Sequence, residues 1–426
     1  MKTLKFAGGM LAREYRKSIF YAVTLVFQIA MTFIFFTIST NPYLADPVEL
    51  EEGLTATTFV ASLSLVIIIF CCSMVLFASD FYVSKKNKEF AVLSLSGWNA
   101  FKVGEYVLLQ IGSLLLLATP VGLLLGYGVA VLSNYFMYQQ AGIAASPFYI
   151  PMAAWLQTVV VLLFMLVMII MISSGYVYRN NIRDYLGQVK SMQPRPSATL
   201  GRTIVYSALY LLGLLLIGAN DYHDPYFFQI FVGMAGAAGL MSGGIPFIIE
   251  KMKASRLLTR RYALIYASHL RYTLQKSAIL AGGMVIAVTS LITLMMTEQD
   301  NPRIFSIVVI GYVVIVVLLV TSLVYNYFNE IQQRMKMFSN LWNIGYTKKE
   351  LRRIIISEVG YYYGILLLLP LVYMIGIGGR YVRNGSMDLG LFIMIILAYI
   401  VPMIISSGIV YRAYTNMVIK PIEGAN

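Results

Sequence analysis

The sequence predicts an all-α protein that crosses a membrane about ten times and contains two parallel four-helix repeats. Three observations support this fold class: long apolar runs, basic residues confined to alternate loops, and landmarks that recur in order in both halves. Apolar residues make up 59% of the 426 residues, charged residues only 12%, and the mean hydropathy is +0.75. Such a composition is typical of membrane proteins and excludes an ordinary soluble domain.

Ten apolar runs are long enough to span a bilayer, which requires about 20 residues per helix. The first run is longer than the core of a signal peptide and is not followed by a small-residue cleavage site, so we expect it to remain as a helix. In chain order, the predicted spans are 18–39, 55–83, 104–135, 152–178, 203–219, 226–249, 277–297, 304–328, 354–378 and 389–411.

The basic residues predict that both the N- and C-termini are cytoplasmic. With that orientation, 29 of the 32 Lys and Arg residues lie on the inside, and only Arg303, Arg380 and Arg383 lie outside. Topology and anionic lipid therefore account for the net charge of +13. Basic residues spread over several loops do not form the patch that a nucleic acid requires, so we expect no nucleic-acid partner.

The two halves of the chain repeat the same landmarks. SSGYVYR at 173–179 recurs as SSGIVYR at 406–412, each time where an apolar run meets basic residues. Spans 1–4 thus match spans 7–10, and because six spans separate their starts, the two repeats point the same way. We predict a first repeat at 1–179, a linker with inserted helices 5 and 6 at 180–260, and a second repeat at 261–426. Further pairs are Lys86 with Arg334, Phe90 with Phe338, Leu93 with Leu341, Gly97 with Gly345, Gln110 with Glu358, and Pro120 with Pro370.

Two basic loops, 85–103 and 332–351, occupy equivalent places in the repeats. Each predicts a short amphipathic helix, a glycine stop and a new helix start. Gly97 ends the first helix and Asn99 can cap the next, while Gly345 is followed by a capping-box pattern that begins at Thr347. A solvated basic loop is the simpler interpretation of either segment alone, but two copies with the same spacing favour a docking role.

The segment Lys-x-Lys-Glu-Phe-Ala-x-Leu, followed by Gly-Trp, resembles the region after the second helix of FtsX-like permeases, the MacB-fold class of ABC transporters. Ten spans with two such segments and two extra helices are most similar to the bacitracin-resistance (Bce-type) permeases. The resemblance implies a bacterial cell-membrane permease whose coupling helices dock onto an ATP-binding subunit, one copy on each helix, with ATP and Mg²⁺ bound by that partner. By position, the coupling residues would be Lys86, Lys88, Glu89, Phe90, Leu93, Gly97, Arg334, Lys336, Phe338, Leu341 and Gly345.

The chain departs from that family at two places. Met337 stands where the first copy has Glu89, so the two docking sites are expected to be unequal. Bce-type permeases also carry a large extracellular domain between spans seven and eight, whereas the connection here is only TEQDNPR at 297–303. Substrate capture by such a domain therefore does not transfer to this chain.

Catalytic chemistry is not predicted. The sequence contains no G-x-x-x-x-G-K-[ST] stretch, so we expect a permease subunit without its own ATPase, bound cofactor or metal. The MSGG stretch at 241–244, and Gly122 with Gly126, are interpreted as close helix packing. His223 lies between two acids in an outside turn, where a polar turn is favoured over a weak metal site. His269 falls in an inside loop with no evident partner.

The leading functional hypothesis is an ABC permease that exports, removes or exerts force on an amphipathic peptide or lipid-linked substrate, such as an antimicrobial peptide. A signalling subunit acting on a sensor kinase or a cell-wall hydrolase is an alternative. Secondary transport is disfavoured because Asp80, Glu105 and Glu358 all fall near the ends of spans, whereas proton relays place acids deep in the bilayer.

The repeated SSG-x-VYR has two interpretations. Gly175 and Gly408 could be hinges at which each repeat tilts. Alternatively, Arg179 and Arg412, each beside a tyrosine, could simply anchor their helices in the headgroup region.

Overall fold

The structure is a computed structural model of the 426-residue chain. It describes residues 8–10, 15–43, 79, 82–83, 86–141, 144–179, 199–219, 226–253, 262–297, 299 and 302–423. Within these ranges every regular element is a helix. The helices are α1 (Tyr15–Ser39), α2 (Asn87–Leu95), α3 (Ala100–Ala141), α4 (Met152–Arg179), α5 (Leu200–Ala219), α6 (Phe227–Gly239), a π-helical turn (Leu240–Gly244), α7 (Ile245–Met252), α8 (Ala263–Lys276), α9 (Ala278–Thr297), α10 (Pro302–Asn343), α11 (Lys348–Arg383) and α12 (Leu389–Glu423).

Nine candidate membrane spans lie in this described part of the chain, and each corresponds to a predicted span. The multi-pass, all-α fold is therefore confirmed. The remaining predicted span, 55–83, falls almost wholly outside the described residues, as do Cys71, Cys72 and Asp80. Pro120 and Pro370 lie inside α3 and α11, which continue through them, as membrane helices can because neighbouring groups satisfy the freed carbonyl.

The chain divides into two compact units, residues 1–191 with 301–314, and residues 192–300 with 315–426. In the first unit, α1 packs closely against α3. A Cβ at Gly122 would lie 2.8 Å from the Ile29 Cβ, and one at Gly126 would lie 3.0 Å from the Ala30 carbonyl oxygen. The prediction that this glycine pair serves close packing is confirmed.

In the second unit, the predicted inserted helices α5 and α6 pack against each other and contact α11. The Tyr210 hydroxyl donates to the Leu369 carbonyl at 2.7 Å, and the Tyr373 hydroxyl donates to the Tyr210 carbonyl at 2.7 Å. A Cβ at Gly233 would overlap the Tyr373 ring, so this tyrosine requires a glycine opposite it. The three-part division at 179 and 260 stays a prediction.

Two regions differ from the prediction. The segment 332–343 does not form a separate short helix, because α10 continues unbroken for 42 residues from Pro302 to Asn343. No proline or glycine interrupts residues 313–343, and Glu330 and Arg334 form an i,i+4 pair that supports continuation. Residues 263–276, predicted as loop, form α8.

Candidate functional site

The two repeated turns have the same backbone geometry. Gly97 has φ +87° and Gly345 has φ +98°, a left-handed conformation that glycine adopts without strain. The Trp98 amide donates to the Leu93 carbonyl at 3.1 Å, and the Tyr346 amide donates to the Leu341 carbonyl at 3.1 Å. Each turn is therefore a Schellman cap, and the predicted glycine stops are confirmed.

The helix starts that follow these turns are capped as predicted. The Lys102 amide donates to the Asn99 side-chain oxygen at 2.9 Å. At the second turn, the Glu350 amide donates to the Thr347 hydroxyl at 3.4 Å, and the Thr347 amide donates to the Glu350 carboxylate at 2.6 Å. Because α3 and α11 begin on these fixed caps, both turns are held in a defined direction at the ends of long helices.

Four residues of the predicted docking set are buried inside the chain: Lys86 (4% exposed), Phe90, Arg334 and Phe338 (each 0%). They cannot present their side chains to a docked protein in this conformation. Their side chains instead pack inside the chain, beneath the turns. A substitution of Phe90 or Phe338 would therefore disturb internal packing, and a loss of docking in such a variant would not show that these side chains contact the partner.

In the first unit, Lys86 lies in a small polar cluster with Glu89, Tyr106 and Gln110, which we call the Lys86 cluster. The Lys86 ammonium donates to the Gln110 Oε1 at 2.7 Å and lies 3.4 Å from the Glu89 Oε2. The Tyr106 hydroxyl donates to Glu89 at 3.2 Å and accepts from the Gln110 Nε2 at 2.7 Å. The ammonium also lies 5.2 Å from the centre of the Tyr82 ring. The contacts of this buried cation thus include a neutral amide, a half-buried carboxylate and an aromatic ring.

The equivalent place in the second unit carries more charge. Arg334 bonds Glu358 through its Nη1, and its Nη2 lies 2.5 Å from the Thr273 Oγ1 and 3.4 Å from the Glu330 Oε2. Lys276 donates to the other Glu330 oxygen at 2.7 Å. Two buried carboxylates thus face two cations, and we call these residues, together with His269, the Arg334 cluster. Balanced charge allows these groups to remain in a low-dielectric interior.

Glu358 joins four helices at one carboxylate. Besides Arg334 of α10, it accepts hydrogen bonds from Tyr327 of α10 at 3.0 Å, Tyr414 of α12 at 3.3 Å and His269 of α8 at 3.1 Å. Glu358 itself lies on α11. This one carboxylate therefore links the end of α10 through polar contacts to α8, α11 and α12.

The sequence pairing of Lys86 with Arg334 and Gln110 with Glu358 corresponds to direct contacts, one pair in each unit. Glu330 was missed, although Glu-x-x-x-Arg at 330–334 is a recognisable i,i+4 pair. Glu358 is also not merely an acid near the end of a span, because it is fully buried and ion-paired. Met337, which replaces the Glu89 of the first repeat, lies with its sulfur 3.3 Å from the His269 Nε2.

The expectation that His269 lies in a loop without partners is wrong. It lies on α8 and is buried at 6% exposure, beside the apolar face formed by Ala263, Leu270 and Leu274. Burial, with the neighbouring Arg334 guanidinium, lowers the pKa of His269 from 6.5 to about 3. The imidazole is therefore neutral at pH 7 and its Nδ1–H donates to Glu358, whose charge Arg334 already balances. The helical spacing of the apolar residues at 263, 267, 270 and 274 was the signal that could have predicted α8 and the burial of part of its surface.

We expect stability to fall as the pH drops below 6.5. The unfolded chain then binds a proton at His269 that the folded chain does not, so the folded state loses about 2 kcal/mol by pH 5. His269→Asn keeps a donor toward Glu358 but cannot titrate, and should remove this part of the pH dependence. The loss of stability is measured from the unfolding midpoints of the wild type and the variant in detergent between pH 7.5 and 5. The same pH dependence in both proteins would contradict the assignment of this loss to His269.

The remaining predicted residues are distributed as follows. Leu93 and Leu341 are half-buried beside the turns, and Glu89 is partly buried in the Lys86 cluster. Lys88 and Lys336 lie within helices, but their side chains fall outside the described set, as does that of Arg179. Within the described residues no group of three or more potential metal ligands occurs, and His223 lies outside them.

The two SSG motifs lie on helices. Gly175 is exposed near the end of α4, whereas Gly408 is exposed within α12, which continues to Glu423. Gly408 lines a shallow groove of about 370 Å³ between α11 and α12, opposite Gly360 and Gly364. Arg412 is exposed one turn further on. Whether the motif is a hinge or an anchor stays a prediction.

Large apolar side chains are exposed beside both turns, outside the candidate spans. They are Val92 (62%) and Leu95 (67%) on α2, and Ile344 (71%) directly before Gly345. Exposed apolar residues within the candidate spans are expected to face lipid, whereas these three lie outside the spans. Exposed apolar groups at two repeated, rigidly capped turns are typical of a protein contact. The turns, with the buried clusters beneath them, form the candidate functional site.

This fold and site define a multi-pass membrane protein with two repeated, capped turns. Residues 61–179, which include the first turn, match the FtsX-like permease C-terminal family model. The chain is 21% identical over 214 residues to the bacitracin export permease protein BceB of Halalkalibacterium halodurans, covering 48% of this chain and 32% of the relative. It is 19% identical over 268 residues to BceB of Bacillus subtilis, covering 58% and 40%.

The resemblance to FtsX-like permeases, and to the Bce type among them, is confirmed by these matches. The matched regions span about a third to two fifths of the length of these curated relatives. The location of the chain in the cell membrane follows from the family match and from its apolar helices.

Proposed function

We propose that this chain is the membrane-spanning permease subunit of an ABC transporter, and that a separate ATP-binding subunit docks on each of its two turns. The observation that carries the proposal is the repeated Schellman turn with exposed apolar residues at its tip and a buried polar cluster beneath it. The FtsX-like match to residues 61–179 and the similarity to BceB support the same role.

In this proposal, the exposed tip binds the partner and the buried cluster transmits its movement. Val92, Leu95 and Ile344 supply the apolar contact. Lys86 and Arg334 act from below, by fixing α2 and α10 to the helices behind them. ATP and Mg²⁺ are bound by the partner, because this sequence lacks a phosphate-binding loop.

The substrate class we propose is an amphipathic peptide or lipid-linked molecule that is exported or removed from the membrane. It rests on the bacitracin export named for both relatives. A signalling role, in which the same movement acts on a sensor kinase or a cell-wall hydrolase, uses the same docking turns. Movement of a labelled peptide that depends on ATP distinguishes transport from a change in kinase activity without movement.

Purification of the tagged chain from its own membranes in mild detergent tests the proposal. We expect an ATP-binding subunit to co-purify and the complex to hydrolyse ATP in a Mg²⁺-dependent manner. A chain that purifies intact from these membranes with no ATP-binding subunit and no hydrolysis would overturn the proposed function.

A further inference from the structure

A cavity of about 480 Å³ lies in the second unit between the end of α7 and the face of α8. Its charged lining is entirely cationic, and an apolar wall and three neutral polar side chains complete it. The cations are Lys253, Arg271 and Arg334, the apolar residues are Leu264, Ile265 and Met337, and the neutral polar residues are Ser268, His269 and Tyr272. The volume falls within the range of small-molecule sites. Arg334 and His269 of its wall belong to the Arg334 cluster, but the proposed permease function assigns no ligand to the cavity.

The cavity lies at a membrane boundary. Lys253 directly follows the candidate span Phe227–Met252, and α8 ends at Lys276, separated by one residue from the span Ala278–Thr297. Consecutive spans are joined on one side of a bilayer, so the cavity lies at the level of the lipid headgroups. All seven Asp, Glu, Lys and Arg residues from 251 to 276 are basic. Such segments attract anionic lipid.

The carboxylates that pair with these cations are not among the residues that line the cavity. Arg271, whose side chain is 12% exposed, pairs with Glu250 at 3.0 Å, but this carboxylate is 48% exposed and so is well solvated. Arg334 is balanced by Glu330 and Glu358. The Lys253 ammonium donates to the Ser268 hydroxyl at 2.5 Å, and this hydroxyl donates in turn to the Leu264 carbonyl at 2.8 Å, which fixes the direction of the lysine. The Glu250 carboxylate also acts on Lys253.

We propose that this cavity binds the phosphate of an anionic phospholipid headgroup, with Arg271 and Lys253, which Ser268 holds in place, as its cationic ligands. The apolar wall then contacts the glycerol and the start of the acyl chains. Burial and the nearby Arg271 lower the pKa of the Lys253 ammonium, a cost that a bound anion offsets.

Lipid retention by the full-length chain tests this proposal. The chain is purified in mild detergent with phosphatidylglycerol or phosphatidylcholine of the same acyl chains, and bound lipid is counted by native mass spectrometry. We expect a preference for phosphatidylglycerol that falls roughly fivefold for each cation removed, first in Lys253→Gln and further in Lys253→Gln with Arg271→Gln. Arg353→Gln removes an exposed charge from α11, away from the cavity, and should retain the wild-type preference.

If loss of the Arg271–Glu250 pair prevents the double variant from folding, the Lys253→Gln variant is sufficient to test the proposal. An unchanged preference in a folded Lys253→Gln variant would overturn the proposal. A further arm adds inorganic phosphate and measures the thermal midpoint. Stabilisation by phosphate, without any preference for phosphatidylglycerol over phosphatidylcholine, would assign the cavity to a soluble anion and overturn the lipid assignment.

Discussion

Replacing Arg334 with methionine is expected to destabilise the folded chain by about 3–5 kcal/mol. The substitution removes the cation that bonds Glu358 and faces Glu330, both fully buried, and leaves Glu358 as an uncompensated charge. Methionine keeps most of the side-chain volume, so the loss is electrostatic and not a packing defect. The free energy of unfolding in mixed micelles measures it.

Lys86→Met is the matched control, because Lys86 occupies the equivalent place in the first repeat. Its bonded partner Gln110 is neutral, and its carboxylate Glu89 is 19% exposed and also held by Tyr106. We expect a loss of only about 1–2 kcal/mol. Equal losses for the two substitutions would show that the buried charges of the Arg334 cluster do not decide its stability.

A second substitution checks the cause of the larger loss. Arg334→Met combined with Glu358→Gln removes the unpaired charge, while Glu330 keeps Lys276 at 2.7 Å. The double variant should therefore be more stable than Arg334→Met alone, although Glu358→Gln by itself destabilises the chain. An additive loss would contradict the ion-pair explanation.

The other large effect concerns docking of the ATP-binding subunit. Replacing Ile344 with aspartate should weaken binding of that subunit by about 30-fold or more, because a carboxylate in an apolar contact without a partner costs about 2 kcal/mol or more at a hot spot. The side chain is 71% exposed and lies before the Gly345 turn, so the fold tolerates the change. Leu95→Asp makes the equivalent change at the first turn.

Binding is measured by titrating the purified ATP-binding subunit against each variant. Phe148→Asp is the control, since Phe148 is similarly exposed, at 66%, but lies in the loop between α3 and α4, at the other end of α3 from the first turn. We expect it to bind as the wild type does. Undiminished binding by a chain that carries both Ile344→Asp and Leu95→Asp would exclude these turns as the docking elements.

The contrast between Phe90 and Leu95 shows what the sequence could not predict at the site. Both are apolar residues of the same nine-residue helix, and the repeat with Phe338 singled out Phe90 as the contact. The structure buries Phe90 completely and exposes Leu95 at 67%. A repeat identifies positions under a common constraint, but internal packing and partner binding both produce apolar repeats. The two roles are distinguished only by whether the side chain points into the protein or toward solvent, which the tertiary structure decides.

The sequence by itself determined the membrane spans and the turns, because both depend on local properties. About 20 consecutive apolar residues specify a span whatever surrounds it, and Gly97 and Gly345 stop a helix through their own freedom to adopt positive φ. The caps at Asn99 and Thr347 follow for the same reason. Only the tertiary structure decided that Lys86 contacts Gln110, that Arg334 contacts Glu358, and that His269 on α8 joins them. These partners lie on different helices, and an apolar run fixes a helix in the bilayer without fixing its rotation, which packing against neighbouring helices sets.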